Sequence, residues 1–533
     1  LRRLLAETWG VESPVVLDPM AGGGSIPFES LRFGFRTYAN ELNPVASFVL
    51  QGTLVLPARL GPGFAEEIAR WGARWAKRVE ERLDRFFPRQ SGESIQAYIF
   101  ARTVACPETG KPVPLAPNWW LRKGKDAVAV RVVADPELEE CRFELVRGDS
   151  IDFDPDVGTV KRGEGRSPWT GATIPGDYIK SEARAGRMGA QLYAVAVKTS
   201  QGRDFRLPTT TDLAALEAAE TELARQLPVW EAADLIPDEA IPYGSKTSDP
   251  IRYGMETWRE IFSPRQLLVL GTAVEELRRL QEESRGELDP DRVAALGTYL
   301  ATGLDKAVDY NALLCTWEVS RQIAKHVFQR HDFSFKWSFA EFDGAHNLLP
   351  WAVRQVVDAY RGIANLVEPS RMSLFPGRPE QAADLVEVRR GDAASLPYGD
   401  GSVYAVVVDP PYYDNVQYAE LSDFFYVWEK RTVGHIYPEF FASELTDKAR
   451  EAVANPARFE ALDKKKAKAL AQADYEKKMT KVFAEAYRVL GDDGVLTVMF
   501  THKKVEAWDT LGNSLIEAGF EIEASWPVHT ESE

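Results

Sequence analysis

The sequence predicts an α/β protein built on a buried, mainly parallel sheet, and three observations carry that expectation. Val15-Val16-Leu17 is a short apolar strand that runs into the loop Asp18-Pro19-Met20-Ala21-Gly22-Gly23-Gly24-Ser25. Ile26, Phe28, Leu31 and Phe33 follow with Glu29 and Arg32 between them, the spacing of an amphipathic helix. Far downstream, Val403 to Val408 is a six-residue apolar run, the pattern of a strand buried on both faces. At the end, residues 494–500, 505–518 and 520–526 read as strand, helix, strand.

Strand, glycine loop and helix open a nucleotide-binding α/β unit. Glycines let backbone approach a ligand closely, and a helix start offers free N–H groups. The next strand, Phe35 to Asn40, ends in Glu41-Leu42-Asn43-Pro44. An acidic residue about 20 positions after the glycine loop is placed to accept hydrogen bonds from a ribose, and Glu41 fits. The apolar run at 403–408 stops at Asp409-Pro410-Pro411-Tyr412, because neither proline can donate to a ladder. A carboxylate and an aromatic ring are thereby left at the carboxyl end of a buried strand, where open α/β sheets bind ligands.

At 533 residues the chain is long enough for several domains. With 45% hydrophobic and 27% charged residues it has the composition of a globular protein, and no apolar run is long enough to span a bilayer. No signal peptide is visible, and Cys106, Cys141 and Cys315 are too scattered for a disulfide framework, so a reducing cytoplasm is the expected setting. Leu1 rather than Met opens the sequence, so a natural start upstream is expected. The net charge of −16 is awkward for nucleic-acid binding, which needs Lys and Arg on phosphates. Either basic residues cluster locally, at Arg122/Lys123/Lys125, Arg184/Arg187 or Lys464/Lys465/Lys466/Lys468, or a partner supplies the grip.

Between the halves of the sheet, Phe64 to Phe87 reads as one helix with Trp71, Trp75, Val79 and Leu83 as its core stripe. Short strands and turns begin near Ser94. Cys106-Pro107-Glu108-Thr109-Gly110 and Ser167-Pro168-Trp169-Thr170-Gly171 share the frame x-Pro-x-x-Gly of a zinc-ribbon knuckle. The four ligand positions hold Cys106, Thr109, Ser167 and Thr170, and one thiolate cannot hold a structural zinc, so no metal is expected there. Trp119, Trp120 and Trp169 are the expected brace. Residues 177–196 read equally as a surface loop or a phosphate contact, 213–227 as a helix with Asp212 at its N-cap, and 241–254 as a linker. Ser263-Pro264 starts a helix, and 289–330 is strongly helical, with Asn311 and Glu318 either satisfied core polars or pocket lining. Leu385 to Arg389 is the third sheet strand, and 467–490 a long helix that opens on lysines.

Taken together, the motif residues resemble the bacterial and archaeal adenine-specific DNA methylases that contain a zinc-ribbon insertion. The resemblance covers nearly the whole chain. It runs from the 18–25 loop through 185–192, 253–255, 262–266 and 309–311 to 409–415, 421–428 and Trp526-Pro527. It implies a Rossmann-like S-adenosylmethionine methyltransferase sheet with a large α+β insertion, a degenerate ribbon plus a helical region, between the second and third strands. The implied segments are 1–60 and 371–533 for the methyltransferase domain, 61–255 for the ribbon-bearing insertion and 256–370 for the helical region. Asp18, Pro19, Ala21, Gly22, Gly24, Glu41 and Asn43 are then the cofactor residues, with Asp392 receiving the adenine amino group of the cofactor. Asp409, Pro410, Pro411 and Tyr412 are the catalytic motif, and Tyr413, Asn415 and Tyr418 candidates for the acceptor pocket. The implied reaction is methyl transfer to the N6 amine of adenine in DNA, in a restriction or phage-defence setting with DNA and other defence proteins as partners. The alternatives are an RNA base amino-group methyltransferase and a non-catalytic nucleic-acid-binding subunit. Two departures stand out: the ribbon cysteines are mostly gone, and the segment that in the family precedes the first strand is not in this sequence.

Overall fold

The computed structural model describes residues 10, 14–135, 137, 139–367 and 382–528. The chain divides into two compact units. The first gathers residues 1–63, 360–422 and 446–533, and the second residues 64–359 and 423–445.

In the first unit, β1 (Val15–Asp18), β2 (Arg36–Glu41), β3 (Val386–Arg390), β4 (Val403–Val408) and β5 (Leu490–Val498) form one sheet in the order β3-β2-β1-β4-β5. Every pairing is parallel, with Leu17 opposite Val406, Asp18 opposite Ala39 and Val388 opposite Ala39 from the other side. The fold is therefore α/β, compatible with a Rossmann-like sheet. The strand order reverses between β1 and β4, the kind of place where open sheets form a ligand crevice. Helices of this unit include α1 (Ser25–Arg32), α2 (Pro44–Leu50), α3 (Ala467–Val489) and α4 (Val505–Glu517). Leu17, Val403 and Val406 pack under Ala486 and Val489 of α3, and Ala21, Ala39, Leu50 and Leu54 form a separate cluster. Because the strands run in one direction, their carboxyl ends, carrying Asp18, Glu41, Asp392 and Asp409, lie along one edge of the sheet.

The second unit is α+β. Its longest ladder pairs Ser94–Ala105 antiparallel with Gly189–Thr199, flanked by Gly202–Arg206 and Ser338–Glu341. A three-stranded sheet, Trp120–Arg122, Val128–Val133 and Arg142–Arg147, shares a core with it that contains Trp119, Phe143 and Tyr193. Helices Ala65–Leu83, Thr210–Ala232, Pro264–Ser284 and Pro290–Tyr310 form the helical part. Trp75 is fully buried and its indole N–H donates to the Ala273 carbonyl (2.9 Å). Arg265 is buried between the rings of Tyr98 and Phe87 and ion-paired to Glu341 (2.5 Å), the pairing that a buried charge requires.

Several expectations are corrected. Residues 519–528 form no strand: Phe520 docks on Tyr487, and Ile522, Trp526 and Val528 are exposed. The apolar pattern of this stretch does not by itself make a ladder: β5 remains an edge strand of the sheet and residues 519–528 do not pair with it. The helix from 290 ends at Tyr310, and Thr316–Glu318 pairs with Ile323–Lys325 as a hairpin. There Asn311 is buried with Oδ1 accepting from the Phe342 N–H and Nδ2 without a partner among the described residues, while Glu318 is a satisfied polar bound to Lys325. Residues 177–196 are neither loop nor bare cluster but a helix, Gly176–Arg184, and most of a strand. Arg187 is committed to Glu182 (2.6 Å). The N-cap of the 210–232 helix is Thr209, with Asp212 closing a capping box from N3. The stretch 241–254 contains a short helix, Ser248–Arg252. The boundary expected at 255–256 divides no units, because Trp230 of the 210–232 helix packs on Gly271 and donates to Glu275 (3.2 Å). Residues 423–445, assigned by sequence to the methyltransferase segment, belong to the second unit, where Phe424 and Trp428 pack on Trp258, Phe262 and Phe333. The boundary expected at 370–371 lies outside the described residues.

One buried titrating contact sets a pH dependence for this unit. His346 Nδ1 meets Asp343 (2.9 Å) and Nε2 meets Asp84 (2.8 Å). Burial disfavours the imidazolium, but the hydrogen bond and charge of Asp343, aided by Asp84, outweigh it and raise the His346 pKa above its ordinary value. A raised folded-state pKa gives stability that is complete below the unfolded value near 6.5 and is lost as pH rises through the folded value. His346→Gln is expected to cost on the order of 1 kcal/mol at pH 6, about 2–4 °C in melting temperature, and less at pH 8.5. Thermal melts of both proteins from pH 5.5 to 8.5 check it; a difference that does not shrink with rising pH contradicts the assignment.

Candidate functional site

The carboxyl edge of the parallel sheet is held together by one side chain. Asn40, 1% exposed at the end of β2, donates to the Pro19 carbonyl after β1 (3.0 Å) and to the Gly391 carbonyl after β3 (3.1 Å). Its own carbonyl accepts from the Ala21 N–H (3.0 Å). The next residue, Glu41, closes the glycine loop: one carboxylate oxygen accepts from the Gly22 N–H (2.7 Å), the other from the Asn43 N–H (2.8 Å). Asn43 caps α2 and donates to Ser422 Oγ (2.9 Å). Gly24 precedes α1 at φ 89°, and a Cβ there would lie 2.7 Å from Leu50 Cδ2, so this position needs glycine twice over.

Asp18 is buried at the end of β1 and accepts from the Met20 N–H (3.1 Å). Burial, then the charges of Glu41 and Asp409, push its pKa well above the usual carboxylate range. Glu41 is raised too, chiefly by burial, against the N–H bonds from Asn43 and Gly22. Tyr418, 41% exposed, is pushed up to about 12 by desolvation and by Asp409, Glu451 and Glu41. These mutual influences draw Asp18, Glu41, Asp409, Glu451 and Tyr418 into one acidic locus at the β1–β4 reversal. A cavity of about 220 Å³ opens beside it, lined by Pro19, Met20, Glu41, Asp392, Arg450 and Lys481 among others. Asp392 lies at its wall with one oxygen accepting from the Ala394 N–H (2.9 Å).

The Asp409–Tyr412 turn is fixed from behind. The Val408 carbonyl still accepts from Met499, at the end of β5 (2.9 Å), and the ladder stops there. Asp409 is exposed and Pro410 buried. The Pro411 carbonyl accepts from the Tyr413 N–H (2.9 Å) and from the Tyr475 hydroxyl of α3 (3.0 Å). Tyr413, expected in the acceptor pocket, is 3% exposed in the core, its ring set edge-on against Tyr475 and His502. Its φ of 52° is costly for a bulky residue, of order 1–3 kcal/mol, and is held by this packing and by the Ala454 N–H on its carbonyl. Tyr412 stays half-buried, perpendicular to Phe500 at 5.6 Å, and Asn415 is exposed.

The structure thus brings Asp18, Glu41, Asp392, Asp409, Tyr412 and Tyr418 to one sheet edge and keeps Tyr413 in the core. Sequence reasoning missed Asn40, Tyr475, Glu451, Phe500 and His502. His502 Nε2 bonds Asp414 (3.2 Å), which also pairs with Lys504. A signal existed for Asn40, a polar residue ending an apolar strand, and for Phe500 and His502, which directly follow a strand of the same sheet. None existed for Glu451, which reaches the locus only through folding.

In the second unit the two x-Pro-x-x-Gly frames form matching turns. The Gly110 and Gly171 N–H groups donate to the carbonyls of Cys106 and Ser167 (both 2.8 Å), and both glycines have positive φ, 70° and 76°. Ser167 Oγ donates to Cys106 Sγ (3.3 Å). Burial raises the Cys106 thiol, but the hydroxyls of Ser167 and Thr109 outweigh it and hold its pKa below the ordinary value. Trp169 packs beside Cys106 and donates to the Pro112 carbonyl (2.9 Å) as a brace, whereas Trp119 belongs to the neighbouring core. Among the described residues, no group of three or more His, Cys, Asp or Glu is placed to hold a metal ion, and no helix is long and apolar enough to cross a membrane.

Glu451 is the titrating member of the acidic locus. Burial, opposed by the Ala419 N–H and reinforced by Glu420, raises it to about 7. The protonated form is favoured by folding, so its stabilising effect is complete below about pH 4.5 and gone above about pH 7. Glu451→Gln is expected to stabilise the protein by about 2–3 kcal/mol at pH 8 and to be near neutral at pH 4.5, read by urea unfolding at both values. A pH-independent difference would remove Glu451 from the titrating set.

Comparison with family models, with curated proteins and with solved structures returns no match for this chain.

Proposed function

We propose that this chain is an S-adenosylmethionine-dependent methyltransferase acting on the N6 amine of adenine in DNA. The observation that carries the reading is the placement of Asp409-Pro410-Pro411-Tyr412 across the strand-order reversal from Asp18 and the Glu41-closed glycine loop. The restriction or phage-defence setting, with defence proteins as partners, rests on the sequence resemblance.

The residues fit the cofactor. Three carboxylates converge where a cationic sulfonium and ammonium would need negative charge, and Asn40 Oδ1 is buried with no donor among the described residues. Asp18 and the 19–24 loop would hold the methionine end, Glu41 the ribose and Asp392 the adenine. The 220 Å³ cavity is smaller than the roughly 300–1,000 Å³ usual for small-molecule sites, so the wall formed by residues 449–452 must yield on binding. When bound, the cofactor supplies an electrophilic methyl group.

The chain's own residues prepare the acceptor. The exocyclic amine of adenine is a poor nucleophile because its lone pair is delocalised into the ring. The Asp409 carboxylate accepts one amine hydrogen and the Pro410 carbonyl the other, which localises the lone pair and stabilises the charge growing on nitrogen. Tyr412 stacks on a base rotated out of the duplex, with Phe500 holding its ring from the side. Tyr475 and the strained Tyr413 fix the turn, so orientation is set before substrate arrives.

Zinc, which the resemblance implies for the paired turns, does not fit them: one thiol with hydroxyls is not the set of four N, S or carboxylate ligands a structural zinc takes. A chelator is expected to leave the melting temperature unchanged, and elemental analysis to find well under one zinc per chain; one zinc held at Cys106 would refute this.

Methyl transfer is tested with purified protein, cofactor and duplex DNA, N6-methyladenine being read by mass spectrometry, with RNA as a parallel acceptor. Asp409→Ala is expected to lower turnover by at least about 10²–10³-fold while cofactor affinity, by calorimetry, stays within about threefold. Asp18→Ala and Glu41→Ala are expected to weaken cofactor binding about tenfold or more. Near-normal turnover in Asp409→Ala would sink the assigned chemistry.

A further inference from the structure

We propose that residues 446–482 carry the surface that grips the DNA backbone, with Lys464, Lys465, Lys466, Lys477 and Lys481 as its direct phosphate contacts; this rests on the methyltransferase reading. The chain has a net charge of −16, yet this stretch holds ten Lys and Arg against six Asp and Glu. Some of these cations are matched: Arg450 by Asp447 (2.7 Å), and Arg458 and Lys478 by Asp474 (3.0 and 2.8 Å). Lys464, Lys465, Lys466, Lys468, Lys477 and Lys481 are all exposed and make no ion pair among the described residues. In the second unit, by contrast, Arg74, Arg78 and Arg82 are matched by Glu283 and Glu276.

The unmatched lysines also oppose their own helix. Lys464 to Lys466 stand at the start of α3, whose first turn has no acid, so three cations meet the positive end of its dipole. Lys477 and Lys481 are one turn apart, a repulsive spacing for like charges. An external polyanion relieves both.

Lys481 connects one end of this ridge to the site. The Tyr475 hydroxyl holds the buried face of α3 to the Pro411 carbonyl, with Lys466 and Lys477 roughly opposite on the exposed face. At 1.5 Å per residue, Lys466 lies about 13 Å beyond Tyr475 along the axis and Lys481 about 9 Å in the other direction. The ridge is therefore about 22 Å long, the span of six to seven phosphates of one strand at about 3.4 Å each. Lys481 and Arg450 also line the cavity that Glu41 and Asp392 share. A line of cations, rather than a converging cluster, matches a regularly charged polymer and not a small anion. The negative net charge of the chain is thus compatible with DNA binding, because the grip is local.

The test uses the full chain and a labelled 30-base-pair DNA duplex, with binding followed by fluorescence anisotropy across potassium chloride concentrations. The variant K464Q/K465Q/K466Q is expected to bind about tenfold or more weakly at 100 mM salt, with the slope of log K against log salt reduced by about 3. K477E is expected to weaken binding further in combination. Unchanged cofactor affinity and melting temperature report intact folding. A control, K123Q/K125Q/R184Q, is expected to bind like the wild type. Wild-type affinity and slope in the 464–466 variant, or an equal loss in the control, overturns the surface while leaving the methyltransferase reading standing. Tighter binding to an RNA duplex of equal length overturns the choice of DNA. A wild-type chain that binds neither cofactor nor nucleic acid overturns the parent reading and this inference with it.

Discussion

The candidate site depends on the buried amide of Asn40. Parallel strands deliver their carboxyl ends to one edge, but the loops that follow have no ladder to hold them. Asn40 supplies that hold, tying the chain after β1 and after β3 to the end of β2. One side chain thus satisfies two loop carbonyls, those of the buried Pro19 and the half-buried Gly391. Glu41 extends the same logic by bonding the glycine loop and the start of α2 at once.

That arrangement concentrates negative charge. Asp18, Glu41 and Glu451 are all buried, and each has its proton affinity raised chiefly by burial. Such a locus is costly while the carboxylates are charged and unpaired, and a neighbouring cation would relieve that cost. The unmatched lysines of α3 are the opposite device in the same unit. Acid is gathered at the sheet edge and base along one helix of the same unit.

The second unit illustrates what backbone chemistry retains when side-chain chemistry changes. The turns at 106–110 and 167–171 keep equivalent hydrogen bonds because proline and glycine fix the local dihedrals. Their tips are joined by a Ser167–Cys106 hydrogen bond and braced by Trp169, so packing holds the pair together.

The sequence by itself determined the local and periodic features: the β1–glycine loop–α1 unit, the buried run of β4, the proline stop that sets Asp409 at the strand end, and the paired knuckle turns. Each follows from side-chain period or from the dihedral limits of proline and glycine, which act over a few residues. Tertiary structure alone decided the rest. Strand order placed Asp18 across from Asp409, the core claimed Tyr413 from the pocket, and residues 519–528 went without a ladder. Glu451 entered the acidic locus, and Tyr475 reached Pro411 across 64 residues of chain. The physical reason is that burial and hydrogen-bond pairing are properties of neighbours in space, and in this chain the neighbours of the site come from three stretches separated by most of the sequence.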